Sequence, residues 1–339
     1  MKKVIHLIPF DGIGGVESAA NTMKDIHSDG IDFALMYIFK KQSKKWNYLS
    51  SLSLIRILFC IYKLFLNKPD LIIVSLWRSC IPAIVFKLIS PKTKVILFLH
   101  YPHHYHFIDM LLTKFMAMIC QGIWADSQDT LNSRLPHFAK NKSDVISLVA
   151  RKLNSLDHDD VSPNFIFWGR LHEQKCIDRA IDIFAQIQLV YKKATYTIIG
   201  PDGGELSKLK KQVHSKGIVD NVNFTGAKDI QSIINLSRNS SFYLQTSNLE
   251  GMAMSVVEAM QLGLVPIVTP VGEIKNYCDS KNSILIYENQ AAISNIFNLI
   301  ENNNQYNNLK KNAINRWKDH EIYSDSFLKA SKRILNLSN

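Results

Sequence analysis

The sequence of 339 residues predicts an α/β protein made of two consecutive halves, each with a parallel sheet covered by helices. Short apolar runs recur along the chain without the polar alternation of a half-exposed strand, which indicates strands buried on both faces. Helical stretches separate these runs. The pattern then restarts after the polar, acidic stretch 154–163, which predicts the join between two domains.

The first half opens with a strand at Val4–Ile8, a glycine-rich turn from Asp11 to Gly15 and a helix from Val16 to about His27. The order of strand, glycine turn and helix is typical of a nucleotide-binding α/β unit. Further strands are predicted in this half at 33–38, 71–75, 95–99, 123–125 and 144–149.

The second half repeats the alternation of strand and helix. Strands are predicted at 165–168, 194–199, 222–224, 242–245, 265–268 and 284–286, and helices at 178–190, 205–216, 230–236 and 255–262. Residues 302–308 are rich in asparagine and predict a solvated loop, whereas 310–337 predicts a terminal helix. The expected domains are therefore 1–155 and 160–317, with a helix at about 318–339 packed back on the first.

The composition excludes several classes of protein. A hydrophobic fraction of 47% with 20% charged residues excludes a wholly disordered or fibrous chain. The mean hydropathy of −0.03 argues against a polytopic membrane protein, and the first apolar stretch is too short for a signal peptide. The five cysteines are odd in number and form no CxxC pair, which argues against a disulfide framework or a thiolate zinc site and favours the cytoplasm.

The net charge of +11 is concentrated in the first half, where 18 Lys and Arg face 10 Asp and Glu. This charge indicates either an anionic partner or simple solubility. A basic tract at 40–46 precedes an apolar helix at 52–66, which at about 22 Å is too short to cross a bilayer. The segment 40–66 has two readings: a helix lying on an anionic membrane surface, or a helix packed on the sheet of its own domain.

The clearest candidate site is a pair of glutamates, Glu250 and Glu258, around the start of a predicted helix. Gly251 lets the backbone approach a ligand, and the N–H groups near 252–255, together with the helix dipole, favour an anion. A carboxylate can accept two hydrogen bonds from a vicinal diol such as a ribose. The spacing therefore predicts a nucleotide-sugar site with its diphosphate at the helix start, the alternative being two solvated carboxylates.

A second candidate lies in the loop after the strand at 165–168, where Arg170 and Lys175 stand five positions apart. Open α/β sheets bind ligands at this end of their strands. Arg suits a forked contact to a phosphate and Lys a point contact. Taken alone, a basic loop of this kind is equally consistent with solvation.

Four motifs occur in the order found in family-four glycosyltransferases: Gly14-Gly15-Val16-Glu17, Gly169-Arg170 with Lys175, Val222-Asn223-Phe224-Thr225-Gly226, and Glu250 with Glu258-Ala259-Met260. The resemblance covers most of the chain and is strongest from 165 to 275. It implies the GT-B architecture, in which two Rossmann-like domains face each other across a cleft. It also implies retaining transfer of a sugar from a nucleotide diphosphate donor, in an enzyme of the bacterial surface-polysaccharide type.

The resemblance implies a role for each matching residue. Glu250 resembles the carboxylate that contacts the donor sugar, and His100 resembles the active-site histidine near the reacting sugar. Glu258 resembles the ribose ligand. The other donor contacts implied are Arg170, Lys175, Gly15, Met252, Ala253 and Met254 at the diphosphate, Gly14 and Gly251 at the sugar, and Gly226 and Lys228 beside the base.

The sequence departs from the family pattern at three positions. Cys176 stands where a glycine usually follows the lysine, Ala253 where a second glycine is common, and Val271 where a Gly-Gly pair often precedes Glu273. Two of the three positions keep small residues, so phosphate binding is expected to survive. The departures bear instead on the choice of sugar.

No cofactor and no metal are expected, because Arg170, Lys175 and the helix start can neutralise the leaving diphosphate. Asp157-His158-Asp159 spells the metal-binding motif of another glycosyltransferase class, but no strand leads into it. The four histidines between 100 and 106 lack an acidic or cysteine neighbour in 101–107 and are read as a polar active-site loop. The apolar stripe at 111–119 is read as core.

The resemblance implies a hexosyltransferase, and the basic first half with the segment 40–66 suggests a lipid-linked glycan as acceptor, in the synthesis of a bacterial surface polysaccharide such as an O-antigen or capsule. A UDP-sugar is the expected donor, with a GDP-sugar as the alternative. The enzyme is expected in the cytoplasm, peripheral at the inner face of the membrane, without nucleic acid as a partner. Two other functions stay open: a nucleotide-sugar epimerase, which needs no acceptor, and a basic nucleic-acid- or membrane-binding protein without catalysis.

Overall fold

The first unit of the chain, Met1–Arg151 with Glu321–Asn339, is organised around one six-stranded parallel sheet. The computed structural model describes residues 1–11, 15–24, 26, 30–39, 51–134, 142–156 and 160–337. The strands are β1 (Lys2–Phe10), β2 (Ile31–Phe39), β3 (Leu71–Ser75), β4 (Lys94–Leu99), β5 (Gly122–Ala125) and β6 (Ser143–Val145), in the spatial order β2-β1-β3-β4-β5-β6. The helices before Arg151 are α1 (Gly15–Asn21), α2 (Ser51–Asn67), α3 (Trp77–Ile89), α4 (Phe107–Ile119) and α5 (Gln128–Arg134).

The second unit, Lys152–His320, contains another six-stranded parallel sheet. Its strands are β7 (Phe165–Trp168), β8 (Tyr196–Ile199), β9 (Val222–Gly226), β10 (Phe242–Gln245), β11 (Val265–Val268) and β12 (Ile284–Leu285), in the order β12-β11-β10-β7-β8-β9. Its helices are α6 (Ile177–Val190), α7 (Leu206–Ser215), α8 (Ile230–Ser237), α9 (Met254–Leu262), α10 (Ile274–Tyr277), α11 (Asn289–Glu301) and α12 (Asn303–Trp317). The α/β class with two parallel sheets is thereby confirmed.

Two predicted elements of the first unit are shorter in the structure. Helix α1 ends at Asn21, because the next three backbone N–H groups, at 22–24, donate to carbonyls three residues back at 3.1–3.2 Å instead of continuing the α-helical pattern. His27, near which the helix was expected to end, lies outside the described residues. Strand β6 ends at Val145 rather than at residue 149. The Ile146 N–H still donates to the Ala125 carbonyl of β5 at 2.9 Å, but further on the Val149 N–H donates to the Ser147 hydroxyl at 3.2 Å.

The prediction of a solvated loop at 302–308 is wrong. Asn302 instead caps α12, since its side chain accepts from the backbone N–H of Gln305 at 3.0 Å. Helical spacing then buries one face of α12 in the core of the second unit. There the Trp317 indole donates to the sulfur of Met260 on α9 at 3.2 Å. The asparagines that suggested a loop lie at the cap and on the outer side of this helix.

The terminal helix predicted at 310–337 is divided between the two units. Its first part belongs to α12, and after a break the chain forms α13 (Tyr323–Leu335) in the first unit. The Phe327 side chain is fully buried, with its ring 5.7 Å from His6 and 5.5 Å from Trp124. A single amphipathic face thus explains why α13 packs on the first sheet.

Helices α2, α3 and α4 cover one face of the first sheet. Helix α2 joins β2 to β3, α3 joins β3 to β4, and α4 joins β4 to β5, so all three connections run toward the β6 edge of the sheet. Right-handed crossovers that run in one direction place their helices on the same side of the sheet. Buried residues of all three helices join one core cluster with β1, β3 and β4. In the part of the chain that the structure describes, no helix combines the length and the apolarity needed to cross a bilayer.

The outer sides of these three helices are apolar and exposed, and we call them the three-helix surface. Its residues are Leu54, Ile55, Leu58, Phe59, Tyr62 and Leu66 of α2, Val85, Leu88 and Ile89 of α3, and Phe107, Ile108, Leu111, Phe115 and Met118 of α4. The prediction that the stripe at 111–119 is core is therefore wrong for Leu111, Phe115 and Met118, whereas Met116 is fully buried. Because α4 is apolar on both sides, the sequence alone did not distinguish its buried side from its exposed side. The basic tract at 40–46 lies outside the described residues.

Candidate active site

The loops that follow the strands of the second sheet carry most of the predicted site residues. In a parallel sheet these loops share one edge, where α/β proteins bind ligands. The loops in question are 169–176 after β7, 200–204 after β8, 227–229 after β9, 246–253 after β10 and 269–273 after β11. The sequence therefore places Lys175, Glu250 and the start of α9 at a common edge.

The β7 loop is fastened to the β10 loop by three hydrogen bonds. The Gln174 amide donates to the Leu249 carbonyl at 2.6 Å, and the Asn248 N–H donates to the Gln174 carbonyl at 3.0 Å. The Thr246 hydroxyl donates to the Cys176 carbonyl at 2.6 Å. A 3₁₀ turn at Glu173–Lys175 then carries the lysine toward the β10 loop.

Lys175 and Glu250 form a largely buried ion pair, with Nζ 2.6 Å from Oε1. The Lys175 side chain is 18% exposed and that of Glu250 7%. The Gln245 amide also donates to the same Glu250 oxygen, at 3.0 Å. Two donors thus fix one oxygen of this carboxylate, and charge-assisted bonds of this kind are the strong ones.

The orientation of the Gln245 amide is itself determined. Its oxygen accepts from the Tyr243 hydroxyl at 2.7 Å and from the Ser255 hydroxyl at 3.1 Å, so its nitrogen faces Glu250. Burial raises the pKa of Tyr243 well above its ordinary value, which keeps this hydroxyl protonated. Gln245 was not predicted as a site residue. Its signal in the sequence is an amide at the end of an otherwise apolar strand.

Glu258 lies on α9 and accepts from the Trp168 indole N–H at 3.0 Å. Trp168 is the last residue of β7, and its ring meets that of Tyr243 edge to face at 4.6 Å. Both predicted carboxylates therefore hydrogen-bond to groups that lie at the ends of β7 and β10. Arg170 is exposed and forms no ion pair within the described part of the chain.

The segment 251–254 leads into α9 with its backbone held in place. The Tyr277 hydroxyl donates to the Met252 carbonyl at 2.8 Å, and Ala253 has φ 53°, in the left-handed region. The first N–H groups of a helix have no partner within it, so Met254 and Ser255 begin an anion-favouring terminus.

Two of the three departures from the family pattern have left-handed backbones. Cys176 has φ 45° and Ala253 has φ 53°. Glycine reaches this region without a steric cost, whereas an L side chain pays about 1–2 kcal/mol. The third departure, Val271, precedes Gly272, which keeps the positive φ of 56°.

The edge of the second sheet also depends on Gly272 and Gly200, which the sequence did not single out. A Cβ on Gly272 would stand 2.2 Å from the Glu250 carbonyl oxygen, and one on Gly200 would stand 1.7 Å from that of Gly169. Gly226 has φ 72° and its carbonyl accepts from the Gly200 N–H at 2.9 Å, while Lys228 is exposed beyond it.

In the first unit, His100 follows β4 and is 7% exposed. Its Nε2 lies 2.8 Å from the Ser75 hydroxyl, which also lies 2.7 Å from Nε2 of His6. Burial lowers the pKa of His100 well below its ordinary value, with further contributions from His6 and Arg134. Gly15 is the exposed first residue of α1, whereas Gly14 lies outside the described residues.

Among the described residues, the remaining histidines and acidic side chains do not form a metal site. Across the described ranges, no group of three or more His, Cys, Asp or Glu side chains is suited to hold a metal. Asp109 is instead fully buried and paired with Arg134 at 2.5 Å. The motif at 157–159 lies outside the described residues.

We expect Gly272→Ala to lower the free energy of unfolding by about 2–5 kcal/mol, because left-handed strain and overpacking against the Glu250 backbone add together. Gly217→Ala is the matched control, since Gly217 has φ 67° with nothing within 4 Å of the added methyl group. The control should lose only about 1–2 kcal/mol in urea unfolding. Equal losses in the two variants would contradict the close approach to Glu250.

Comparisons with known proteins follow the same division of the chain. Residues 150–316 match the family model described as "Glycosyl transferases group 1". A search of curated protein sequences finds no match.

Solved structures resemble the whole chain at low sequence identity. Anabaena HepE in complex with UDP-glucose is 16% identical with a TM-score of 0.80, covering 99% of this chain and 100% of its own. The lipopolysaccharide outer core galactosyltransferase WaaB is 18% identical with a TM-score of 0.70, covering 99% of each chain. TarM is 18% identical with a TM-score of 0.71 over 83% of this chain, which spans 58% of the TarM chain.

The family match covers nearly all of the second unit, and the structural matches extend the likeness in fold to both sheets. Nearly all of the second unit thus matches the glycosyl transferases group 1 family model, in a chain that has the GT-B fold.

Proposed function

We propose that the chain is a retaining hexosyltransferase that uses a nucleotide diphosphate sugar, by default a UDP-sugar and alternatively a GDP-sugar. The observation that carries this proposal is the buried Lys175–Glu250 pair, which stands beside the start of α9 at the edge of the second sheet. This edge lies within the region that matches the glycosyl transferases group 1 model. HepE has been crystallised with UDP-glucose, and WaaB is named a galactosyltransferase, which supports a donor of this class.

In this proposal the donor diphosphate binds at the start of α9, between Lys175 and the exposed Arg170. An ammonium group has three donors, and Lys175 uses one on Glu250, so it can reach a phosphate oxygen while still paired. The N–H groups of the first turn of α9 add the helix dipole. These fixed charges neutralise the leaving diphosphate without a metal.

The two glutamates then bind the sugars at either side of the diphosphate. Glu258 accepts hydrogen bonds from the ribose hydroxyls, and a carboxylate that already accepts from Trp168 keeps further acceptor positions. Glu250 contacts the hydroxyls of the transferred sugar. Because Lys175 and Gln245 hold one of its oxygens, the carboxylate is oriented before the donor arrives.

The proposed transfer begins when the glycosidic bond loosens toward an oxocarbenium-like state while negative charge develops on the diphosphate. Lys175, Arg170 and the α9 terminus stabilise that charge more strongly than they stabilise the ground state. The acceptor oxygen then bonds to the anomeric carbon on the leaving-group face as the bond to the diphosphate breaks, and its proton passes to the departing diphosphate oxygen; the configuration is retained. No carboxylate is assigned as a covalent nucleophile.

The proposed acceptor is a lipid-linked glycan in the synthesis of a bacterial surface polysaccharide such as an O-antigen or capsule, reached at the inner face of the cytoplasmic membrane. The three-helix surface supports this proposal because it is broad, apolar and exposed. Basic side chains accompany it: Arg56 and Lys63 on α2 and Lys114 on α4. The single acidic residue of these helices, Asp109, is buried against Arg134. The charge therefore suits an anionic bilayer.

Donor binding gives the first test. We expect UDP to raise the unfolding temperature most among UDP, GDP and ADP, because a ligand that binds the folded state stabilises it by mass action. At a ligand concentration of 100 times Kd the gain is about 2.7 kcal/mol. A larger rise in unfolding temperature with GDP than with UDP would indicate a GDP-sugar donor. No shift with any of the three, in protein that unfolds cooperatively, would contradict a nucleotide-sugar site.

Glu250→Gln should lower the transfer rate by about 10²–10³-fold, because its contacts to the sugar strengthen in the transition state. The rate is measured as release of nucleoside diphosphate from the preferred donor, with a detergent extract of host membranes as acceptor. Glu301→Gln, an exposed glutamate on α11, is the control and should keep full activity. Near-full transfer by a folded Glu250→Gln variant would remove Glu250 from the site.

The same assay separates the alternative functions. Isomerised nucleotide sugar without release of nucleoside diphosphate would indicate an epimerase. Salt-dependent binding to random duplex that exceeds any nucleotide binding would indicate a nucleic-acid-binding protein.

Flotation with lipid vesicles tests the membrane contact. We expect the protein to float with vesicles that contain anionic lipid, and Leu58→Glu with Leu111→Glu to abolish this by placing two charges on the three-helix surface. The matched control is Leu189→Glu with Val219→Glu, since both residues are exposed apolar side chains of the second unit. The proposed membrane contact would be contradicted if both double variants lost flotation equally, or if the unaltered protein did not float.

A further inference from the structure

Four polar side chains of the first unit form one buried chain of hydrogen bonds. The Tyr323 hydroxyl lies 3.4 Å from Nδ1 of His6, and Nε2 of His6 lies 2.7 Å from the Ser75 hydroxyl. That hydroxyl also lies 2.8 Å from Nε2 of His100. The first three groups are each at most 1% exposed, and they come from α13, β1 and β3.

The direction of this chain follows from its Tyr323 end. Within the described residues, Nδ1 of His6 is the polar atom within hydrogen-bond distance of the Tyr323 oxygen. A buried hydroxyl hydrogen without an acceptor costs about 1–3 kcal/mol. Burial raises the pKa of Tyr323 well above its ordinary value, so the hydrogen is present. Tyr323 therefore donates to Nδ1 of His6.

That first bond determines the others. With Nδ1 as an acceptor, a neutral His6 carries its hydrogen on Nε2 and donates it to the Ser75 oxygen. The Ser75 hydroxyl hydrogen then needs an acceptor, and Nε2 of His100 is the available one. His100 consequently carries its own hydrogen on Nδ1. This atom is buried and has no hydrogen-bond partner among the described residues.

Both histidines are neutral in this arrangement. Burial lowers the pKa of His6 from 6.5 to about 3 and lowers that of His100 well below its ordinary value. The neighbouring His6 and Arg134 act on His100 in the same direction. A doubly protonated His100 would lose its place as acceptor for Ser75. The electrostatics and the hydrogen-bond geometry therefore agree on one tautomer.

We propose that Tyr323, His6 and Ser75 are positioning residues that hold His100 in the tautomer with hydrogen on Nδ1, so that its ring carries an N–H donor, and not an acceptor, at that atom. A catalytic use of this donor rests on the proposed function. The tautomer itself rests only on the first unit. His100 in this state donates a hydrogen bond and does not accept a proton at Nδ1.

The test is nuclear magnetic resonance of the full chain labelled with ¹⁵N-histidine, which distinguishes a protonated ring nitrogen from an unprotonated one. We expect protonated Nδ1 and unprotonated Nε2 for His100. Tyr323→Phe, which removes a single oxygen atom, should convert His100 to a mixture of the two tautomers. Ser75→Ala removes the hydroxyl that selects the tautomer and should have the same effect.

Two controls remove buried hydroxyl groups that lie outside the chain of hydrogen bonds. Tyr306→Phe acts in the second unit, and Ser79→Ala removes a buried serine of α3 whose oxygen has no partner among the described residues. Both should leave the His100 resonances unchanged. Hydrogen on Nε2 of His100 in the unaltered protein would overturn the proposal, as would a Tyr323→Phe spectrum identical to that of the unaltered protein.

A kinetic readout then connects the tautomer to catalysis. Tyr323→Phe should lower kcat for sugar transfer by about 3–10-fold, as expected for one neutral hydrogen bond, with little change in the KM for the donor. The two proposals can fail separately. Without sugar transfer the His100 tautomer is still read from the spectrum, whereas the wrong tautomer leaves donor binding at the second unit untouched.

Discussion

The geometry of the second unit's edge depends on one buried ion pair, Lys175 with Glu250. Taking two charges out of water costs several kcal/mol for each ion, and only good geometry with further hydrogen bonds offsets this cost. Here the offset comes from Gln245, whose amide is oriented by Tyr243 and Ser255. Removing either charge would leave the other buried without its partner, so the loops after β7 and β10 are held as one unit.

This pairing also explains why the backbone around it is so constrained. The β7 loop must bring Lys175 to the β10 loop, and it does so through a 3₁₀ turn that ends at Cys176 in the left-handed region. Ala253 also has a left-handed backbone, where the chain enters α9. Strained residues of this kind persist where the surrounding contacts over-determine them, and they cluster at functional sites. Gly272 and Gly200 serve the same edge by allowing two backbones to touch.

The sequence predicted the structure most closely where apolar residues form a continuous run between turn residues. The strands at 165–168, 242–245 and 265–268 have the predicted bounds, because buried parallel strands read as continuous apolar runs between turn residues. It was least informative where one residue type serves two structures. Asn302 indicates a loop and a helix cap equally well, and the apolar residues of α4 face both the core and the surface. Tyr277 of α10 enters the site through a tertiary contact with the Met252 carbonyl, which no local pattern specifies.

The placement of α13 has a consequence for how this chain acquires its structure. The first unit closes only when residues near the C-terminus reach β1, and the contact between Tyr323 and His6 spans 317 positions. Long-range closures of this kind are slow because loop entropy is lost before the contact is gained. During synthesis the first unit therefore lacks α13 until the whole of the second unit has been made, so the first unit cannot be completed before the second has been synthesised.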